Sequence, residues 1–225
     1  MSDTPPSQSL PLIGSEFPSI EVETTHGAMS LPEAFADEWF ILFSHPGDFT
    51  PVCTTEFAAF EQRREAFEER GVNLVGLSVD RLQSHHKWTD WIAEELDVEI
   101  GFPIIADESG AVSEELSMIH PNAGSSTVRA LFIVDPTGTI RQILYYPEEI
   151  GRNIDEILRS VDALQLADEE DVVTPADWPE NERFENRVLL PPPETAADID
   201  EVVAEAEAKD YDQYDWWFTV TSSNS

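Results

Sequence analysis

The most informative stretch of the chain is His45-Pro46-Gly47-Asp48-Phe49-Thr50-Pro51-Val52-Cys53-Thr54-Thr55-Glu56, which contains its only cysteine. The apolar run before it, Trp39–Phe43, predicts a buried strand. Thr50 is a good helix N-cap, and Pro51 suits the first helical position. We therefore expect Cys53 in the first helical turn. Unpaired backbone N–H groups and the helix dipole favour a thiolate there.

Strands and helices alternate on both sides of this stretch, which predicts an α/β fold. The expected elements are strands at Trp39–Ser44, Val72–Val79 and Phe102–Ala106 and helices at Val52–Arg70 and Ser84–Glu95. The turn sequence Asp135-Pro136-Thr137-Gly138-Thr139 predicts a hairpin between strands Arg129–Val134 and Ile140–Tyr145. A parallel α/β unit that ends in a hairpin gives a mixed sheet flanked by helices.

The character of the chain changes after Leu166. Acidic and proline-containing segments follow and surround one amphipathic helix, expected at Ala196–Ala208. We therefore expect a main domain over residues 1–166 and a C-terminal extension over residues 167–225, without an independent core.

The composition is strongly acidic. The 225 residues carry 46 acidic and 12 basic side chains, a net charge of −34, and only Lys87 and Lys209 are lysines. Such a charge repels phosphate-rich partners and therefore disfavours nucleic-acid binding. Carboxylates in excess with scarce lysine favour a protein from a halophile, in which salt screens the self-repulsion.

Other features point to the cytoplasm. No apolar run is long enough to span a bilayer, and the first residues lack the pattern of a signal peptide. A single cysteine forms no intrachain disulfide, so nothing indicates a secreted, disulfide-stapled fold. We expect no membrane partner.

Several thiol chemistries can be tested by spacing. Cys53 has no Cys-x-x-Cys partner for dithiol exchange, and no arginine follows closely enough for a phosphatase loop. A cysteine protease stays open, because His45, His85, His86 or His120 could supply a base, although no local signature supports it. No metal site is expected, since His85 and His86 are adjacent, and the pair is interpreted as a polar helix start.

The stretch resembles the Pro-x-x-x-Thr-x-x-Cys signature of the peroxiredoxins, and the string from His45 to Glu56 is similar to that of the one-cysteine, peroxiredoxin-6-like subgroup. The resemblance covers residues from about Leu10 to Trp217. It includes Thr127-Val128-Arg129-Ala130-Leu131-Phe132-Ile133, Tyr146-Pro147, Gly151-Arg152-Asn153, Leu164-Gln165-Leu166 and Thr174-Pro175-Ala176-Asp177-Trp178. It implies a thioredoxin-like fold, and together with the acidic composition it makes a halophilic archaeon the expected source.

The resemblance also implies residue roles in hydroperoxide reduction. Cys53 would be the nucleophile that becomes a sulfenic acid, Pro46 would shield it, and Thr50 would bond to the thiolate or the peroxide. Arg129 would stabilise the thiolate and the leaving oxygen. The supporting residues would be Glu56, which orients arginine, the second arginine candidate Arg152, and His45, which resembles the subgroup's active-site histidine.

The same resemblance gives the expected partners. The substrate would be hydrogen peroxide or an organic hydroperoxide, no metal, haem or flavin would be required, and the chain would form a homodimer, with rings of dimers as a larger assembly. This chain lacks the further cysteines of some archaeal relatives, so an external thiol must reduce Cys53. The phospholipase activity of some members is not carried over, because Glu38 stands where their serine would be.

Two alternatives use the same fold. One is a redox sensor or holdase chaperone, and a weaker one is a non-enzymatic interaction module. Arg129 and Thr50 favour catalysis, because a passive module requires neither of them.

Overall fold

The computed structural model describes residues 10–121, 124–195, 198–209 and 211–223. The chain divides into two compact units, Met1–Ile154 and Asp155–Ser225. The elements of the first unit are β1 (Ile20–Thr24), β2 (Gly27–Leu31), β3 (Trp39–Ser44), α1 (Pro51–Gln62), α2 (Arg64–Glu68), β4 (Val72–Ser78), α3 (Leu82–Leu96), β5 (Ile104–Ala106), α4 (Ala111–Glu115), β6 (Arg129–Val134) and β7 (Ile140–Tyr146). The expected domain boundary after Leu166 stays a prediction.

The first unit is built on a seven-stranded sheet of order β2-β1-β5-β4-β3-β6-β7. Strand β3 pairs in parallel with β4 and antiparallel with β6, and β6 and β7 form the expected hairpin. The predicted α/β class with a mixed sheet is therefore confirmed. The hairpin of β1 and β2, with Thr24 opposite Gly27, adds two antiparallel strands at one edge of the sheet.

Strand β3 is an interior strand, between β4 and β6, and contributes to the core on both faces of the sheet. All six of its residues are buried. Phe40 and Leu42 belong to one apolar cluster, whereas Phe43 stacks on Phe60 of α1 with ring centroids 4.1 Å apart. Because successive side chains of a strand point to opposite faces, a continuously apolar strand fits this two-sided burial. The core thus fixes α1 against the end of β3.

The long helix predicted at Val52–Arg70 is two helices in the structure. Arg63 leaves the helical conformation, with φ −110° and ψ 9°, and separates α1 from α2. Apolar periodicity continues across this break, since Phe57, Phe60 and Phe67 are all buried. A periodic pattern therefore gives the buried face but not the interruption of the backbone.

The second unit contains α5 (Ile154–Glu170, whose first residue belongs to the first unit), β8 (Val188–Leu189), α6 (Ile199–Ala208), β9 (Asp212–Asp215) and β10 (Phe218–Thr221). Strands β8, β10 and β9 form a small antiparallel sheet. Leu166, Val172 and Val188 form a small apolar cluster of their own. The amphipathic helix expected from Ala196 begins at Ile199, and residues 196 and 197 lie outside the described part of the chain.

Candidate active site

Cys53 lies where the sequence predicted it, at the third position of α1. Thr50 is the N-cap residue of this helix, in an extended conformation, and Pro51 is its first residue. Cys53 is a free thiol with none of its surface exposed. Its sulfur therefore lies in the first turn, where the helix dipole favours negative charge.

Arg129 is the residue that contacts the sulfur. Its Nη1 donates to Cys53 Sγ at 3.2 Å and to Glu56 Oε2 at 2.6 Å. Its Nε and Nη2 both donate to the Glu148 carbonyl oxygen, at 3.1 and 2.7 Å. The guanidinium is thus anchored at one end by the backbone and presents the other end to the thiol. Such a donor stabilises negative charge on sulfur.

Glu56 joins two buried arginines. Oε1 of Glu56 accepts hydrogen bonds from the backbone N–H of Arg152 and from Arg152 Nε, both at 2.8 Å. Oε2 of Glu56 accepts from Arg152 Nη2 at 3.0 Å. Arg152 Nη1 also donates to the carbonyl oxygens of Ser44 and Ala130. Burial lowers the pKa of Arg152, and the Glu56 carboxylate opposes that shift. Glu56 thereby links the end of β3 and the start of β6 to the helix that carries Cys53.

The sheet register explains why Arg129 and Cys53 meet. Phe43 pairs with Leu131 in an antiparallel register, so Arg129, the first residue of β6, lies just past the end of β3, where the chain leads to α1. Ser44 Oγ accepts from the backbone N–H of Ala130 at 3.1 Å and donates to the Val128 carbonyl at 2.7 Å. Six residues separate the end of β3 from the start of α1, and the first turn of α1 faces the start of β6.

The structure thus brings together four of the seven predicted residues, Cys53, Glu56, Arg129 and Arg152, in one hydrogen-bonded cluster. Pro46, also predicted, is buried in the loop between β3 and α1. The Thr50 hydroxyl donates to the Gly47 carbonyl at 2.8 Å, and among the described contacts it caps no helical N–H. The side chain therefore closes the loop on itself, a local bond open to threonine.

His45 belongs to a different cluster. Its Nε2 is 2.9 Å from Asp48 Oδ1, and His85 Nδ1 lies 2.9 and 3.0 Å from the two oxygens of the same carboxylate. Burial lowers the pKa of His45. Burial opposes ionisation of Asp48 as well, but the hydrogen bonds from His45 and His85 outweigh it and hold the pKa of Asp48 well below its usual range.

Sequence reasoning missed Asp48 and His85. The polar-start interpretation of the histidine pair is wrong for His85, which is fully buried, and fits only the exposed His86. The available signal was helical spacing, because His85, Trp88 and Ile92 form the buried stripe of α3. The carboxylate and the two imidazoles also lie within 4.8 Å of one another, a spacing that a cation could use. Their atoms stand at hydrogen-bond distances, so we assign them to hydrogen bonds.

Chemically, the cluster around Cys53 is suited to nucleophilic attack by a thiolate. A helix N-terminus and an arginine both face the sulfur, and the arginine can also stabilise charge on an atom that leaves it. Within the described residues, no helix is both long and apolar enough to cross a bilayer.

Comparison with known proteins agrees with this site. Residues 13–143 match the AhpC/TSA family, and residues 163–205 match the C-terminal domain of 1-Cys peroxiredoxin. The chain is 57% identical to a peroxiredoxin of Thermotoga maritima, over 93% of this chain and 96% of that protein. It is 56% identical to a peroxiredoxin of Archaeoglobus fulgidus, over 92% and 97% of the two chains.

Solved structures give the same result. A yeast mitochondrial 1-Cys peroxiredoxin superposes with a TM-score of 0.82 at 40% identity and covers 94% of this chain and 99% of its own. A cysteine-to-serine mutant of peroxiredoxin 6 from Arenicola marina gives 0.83 at 32% identity, with 95% and 99% coverage. The predicted thioredoxin-like fold with a C-terminal extension is confirmed. The chain therefore belongs to the peroxiredoxin family and is a thiol-dependent peroxidase with a C-terminal domain of the 1-Cys type.

Proposed function

We propose that Cys53 is the nucleophile of this peroxidase and that Arg129 and Thr50 act with it on the hydroperoxide. The observation that carries this assignment is the 3.2 Å contact between Arg129 Nη1 and Cys53 Sγ in the first turn of α1. Glu56 and the Glu148 carbonyl already satisfy the buried guanidinium, so its further contact with the thiol favours a catalytic role over a passive module.

The chemical step follows from this geometry. The Cys53 thiolate attacks the terminal oxygen of a hydroperoxide, the O–O bond breaks, and an S–O bond forms. Cys53 becomes a sulfenic acid, and the departing hydroxide or alkoxide takes a proton from solvent to give water or an alcohol. Arg129 stabilises the sulfur before attack and the leaving oxygen during it. The Thr50 hydroxyl, whose proton is donated to the Gly47 carbonyl, accepts a hydrogen bond from the hydroperoxide, and Pro46 shields the sulfur from water.

The supporting residues keep this constellation in place. Glu56 accepts from Arg129 and Arg152 at once and thereby orients both guanidinium groups. His45 lies in the loop that leads to the N-cap, held by Thr127 Oγ1, which donates to its carbonyl at 2.6 Å. Cys53 needs no metal, haem or flavin in this scheme, because the thiolate supplies the electron pair.

The second half of the cycle requires an external thiol. Cys53 is the only cysteine, so no second cysteine of this chain can resolve the sulfenic acid. Two external thiols would restore the Cys53 thiol, with release of water and formation of their own disulfide. The yeast relative is described as resolved by glutathione and thioredoxin systems, which supports a small thiol or a dithiol protein as reductant here.

We further propose a homodimer, able to assemble into a ring of dimers, in the cytoplasm of a halophile. The match to the C-terminal domain of 1-Cys peroxiredoxin supports the dimer, the absence of any possible intrachain disulfide supports the compartment, and the net charge of −34 supports the salt-rich environment. A weight-average mass near 25.2 kDa in molar salt, which is that of one chain, would contradict the dimer.

The function is tested by mixing reduced protein with one equivalent of hydrogen peroxide and trapping sulfenic acid for mass spectrometry. We expect the modification at Cys53, a rate far above that of free cysteine, and no reaction in Cys53→Ser. A rate equal to that of free cysteine would overturn the assignment. Fast oxidation that no thiol reverses would favour a redox sensor over a turnover catalyst.

A further inference from the structure

The cluster of His45, Asp48 and His85 contains more acceptors than neutral histidines can satisfy. The side chains of all three residues are 0–1% exposed. His85 Nδ1 faces the Asp48 carboxylate, and His85 Nε2 faces the Ile105 carbonyl oxygen at 3.2 Å. Both partners of His85 are therefore pure acceptors.

A neutral imidazole carries one N–H and one lone pair. Because the pKa of Asp48 is held low, its carboxyl group is ionised and only accepts. A neutral His85 would then point the lone pair of one ring nitrogen at an oxygen lone pair, in a buried site. A doubly protonated His85 satisfies both contacts. It also balances the Asp48 carboxylate, which would otherwise be a buried charge without a counter-ion.

The same carboxylate also defines which ring nitrogen of His45 carries a proton. Its Nε2 approaches Asp48 Oδ1 at 2.9 Å and must carry the proton, because the carboxylate only accepts. Its Nδ1 is buried and has no hydrogen-bond partner among the described residues. A proton there would be an unsatisfied buried donor. One carboxylate with one imidazolium is neutral, so nothing in the cluster calls for a second cation.

We propose that His85 is a doubly protonated positioning residue, which holds Asp48 by a charge-assisted hydrogen bond and thereby keeps His45 neutral with its proton on Nε2. This deepens the proposed function, on which its relevance to catalysis rests. The three residues fix the loop between β3 and the N-cap of α1, and Asp48 N–H donates to Asp80 Oδ2 at 2.8 Å to close the loop against β4.

The charged and titratable groups around His85 are few. Among the described residues, Asp48 contacts it from the loop before α1, His45 lies beside it just after β3, and β5 contributes a carbonyl. Asp80, which follows β4, acts on His45. The other groups on the His45 ring are Phe57 and Trp88, which are uncharged. Burial is the main cause of the lowered pKa of His45, and Asp48, His85 and Asp80 are the charges that modify it.

Histidine ring ¹⁵N resonances of the reduced full-length protein test the proposal. They are assigned with His85→Gln and with the matched control His86→Gln, whose residue is adjacent but exposed. In the wild-type protein at neutral pH we expect both His85 nitrogens to be protonated and one proton on His45. A neutral His85 under these conditions would overturn the proposal, and so would a stoichiometric metal ion in the purified protein.

The variants test the coupling to His45. His85→Gln removes a cation and leaves Asp48 without one, and both changes raise the pKa of His45, by about one pH unit or more. The rate of Cys53 oxidation should then show an additional ionisation on the acid side, absent in His86→Gln. His85→Lys supplies charge and donors again and should return His45 to the neutral state.

An unchanged His45 titration in folded His85→Gln would overturn the coupling. The wild-type spectrum decides the charge of His85 even if that variant does not fold. Because the spectra are recorded without peroxide, failure of the peroxidase assignment would leave the ¹⁵N result standing, and the two failures are distinguishable.

Discussion

Arg129→Lys separates the charge of the guanidinium from its geometry. Arg129 donates through three nitrogens, to the Glu148 carbonyl with Nε and Nη2 and to Glu56 and Cys53 with Nη1. A lysine ammonium keeps the positive charge but is a single point on a flexible stem. It cannot hold the backbone at one end while it presents a donor to the sulfur at the other.

The expected decrease in the rate constant follows from which interactions of Arg129 a lysine retains. A unit charge about 4 Å from the thiolate contributes about 4 kcal/mol at an effective dielectric constant of about 20, and a lysine retains much of this. What it loses is an oriented donor, and removal of one such donor typically slows a reaction by about 10²–10³-fold. We expect that decrease in the second-order rate constant for Arg129→Lys and a larger one for Arg129→Gln.

Stopped-flow mixing of reduced protein with hydrogen peroxide, followed by tryptophan fluorescence, gives this constant. Arg141→Lys is the matched control, because Arg141 pairs with Asp135 at the β6–β7 turn, at 3.2 Å, and is no part of the site. Urea unfolding shows whether each variant is folded. A folded Arg129→Lys protein with the wild-type rate constant would refute the reasoning, since charge alone would then suffice.

Three further predictions concern stability. Glu56→Gln leaves Arg129 and Arg152 buried without their carboxylate, so the free energy of unfolding in urea should fall by about 3–5 kcal/mol, and a change within the error of the extrapolation would contradict a shared ion pair. The pKa of Asp48 is lower in the folded than in the unfolded state, where it is 3.8. The ionised Asp48 carboxylate therefore stabilises the folded protein above about pH 4, and this contribution is lost as the pH falls through the pKa of the folded state. Thermal melts of Asp48→Asn at decreasing pH should show a shallower loss of stability than those of the wild-type protein. An equally steep loss in the variant would exclude Asp48 as its source. Molar potassium chloride shortens the screening length from about 10 Å at 0.1 M to about 3 Å, and with a net charge of −34 the melting temperature should rise; an unchanged melt would count against adaptation to salt.

Local rules were enough for much of the fold. Strands Trp39–Ser44 and Arg129–Val134 have the predicted bounds, because continuous apolar runs of this length suit strands buried on both faces. The strand Gly27–Leu31 was not predicted. Its residues Gly-Ala-Met-Ser-Leu have weak strand propensity, and pairing with β1 through a tight turn decides their conformation.

The C-terminal part shows a similar division. The amphipathic helix was predicted from its spacing, and Ile199–Ala208 is helical. The small sheet of β8, β10 and β9 was not predicted, since its strands are only two to four residues long and carry polar residues such as Asp212 and Gln213. Strands this short are defined by their partners and not by their own sequence.

Local sequence alone placed Cys53 in the first turn of a helix. The N-cap residue, the proline at the first helical position and the helix dipole all act within a few residues of Cys53, so a short stretch of sequence is enough to predict them. The surroundings of that thiol depend on contacts between residues far apart in the chain. Arg129 reaches the sulfur through the pairing of β3 with β6, and His85 reaches Asp48 through the packing of α3. Both contacts are buried, and a buried charge is stable only when another group of the fold pairs with it.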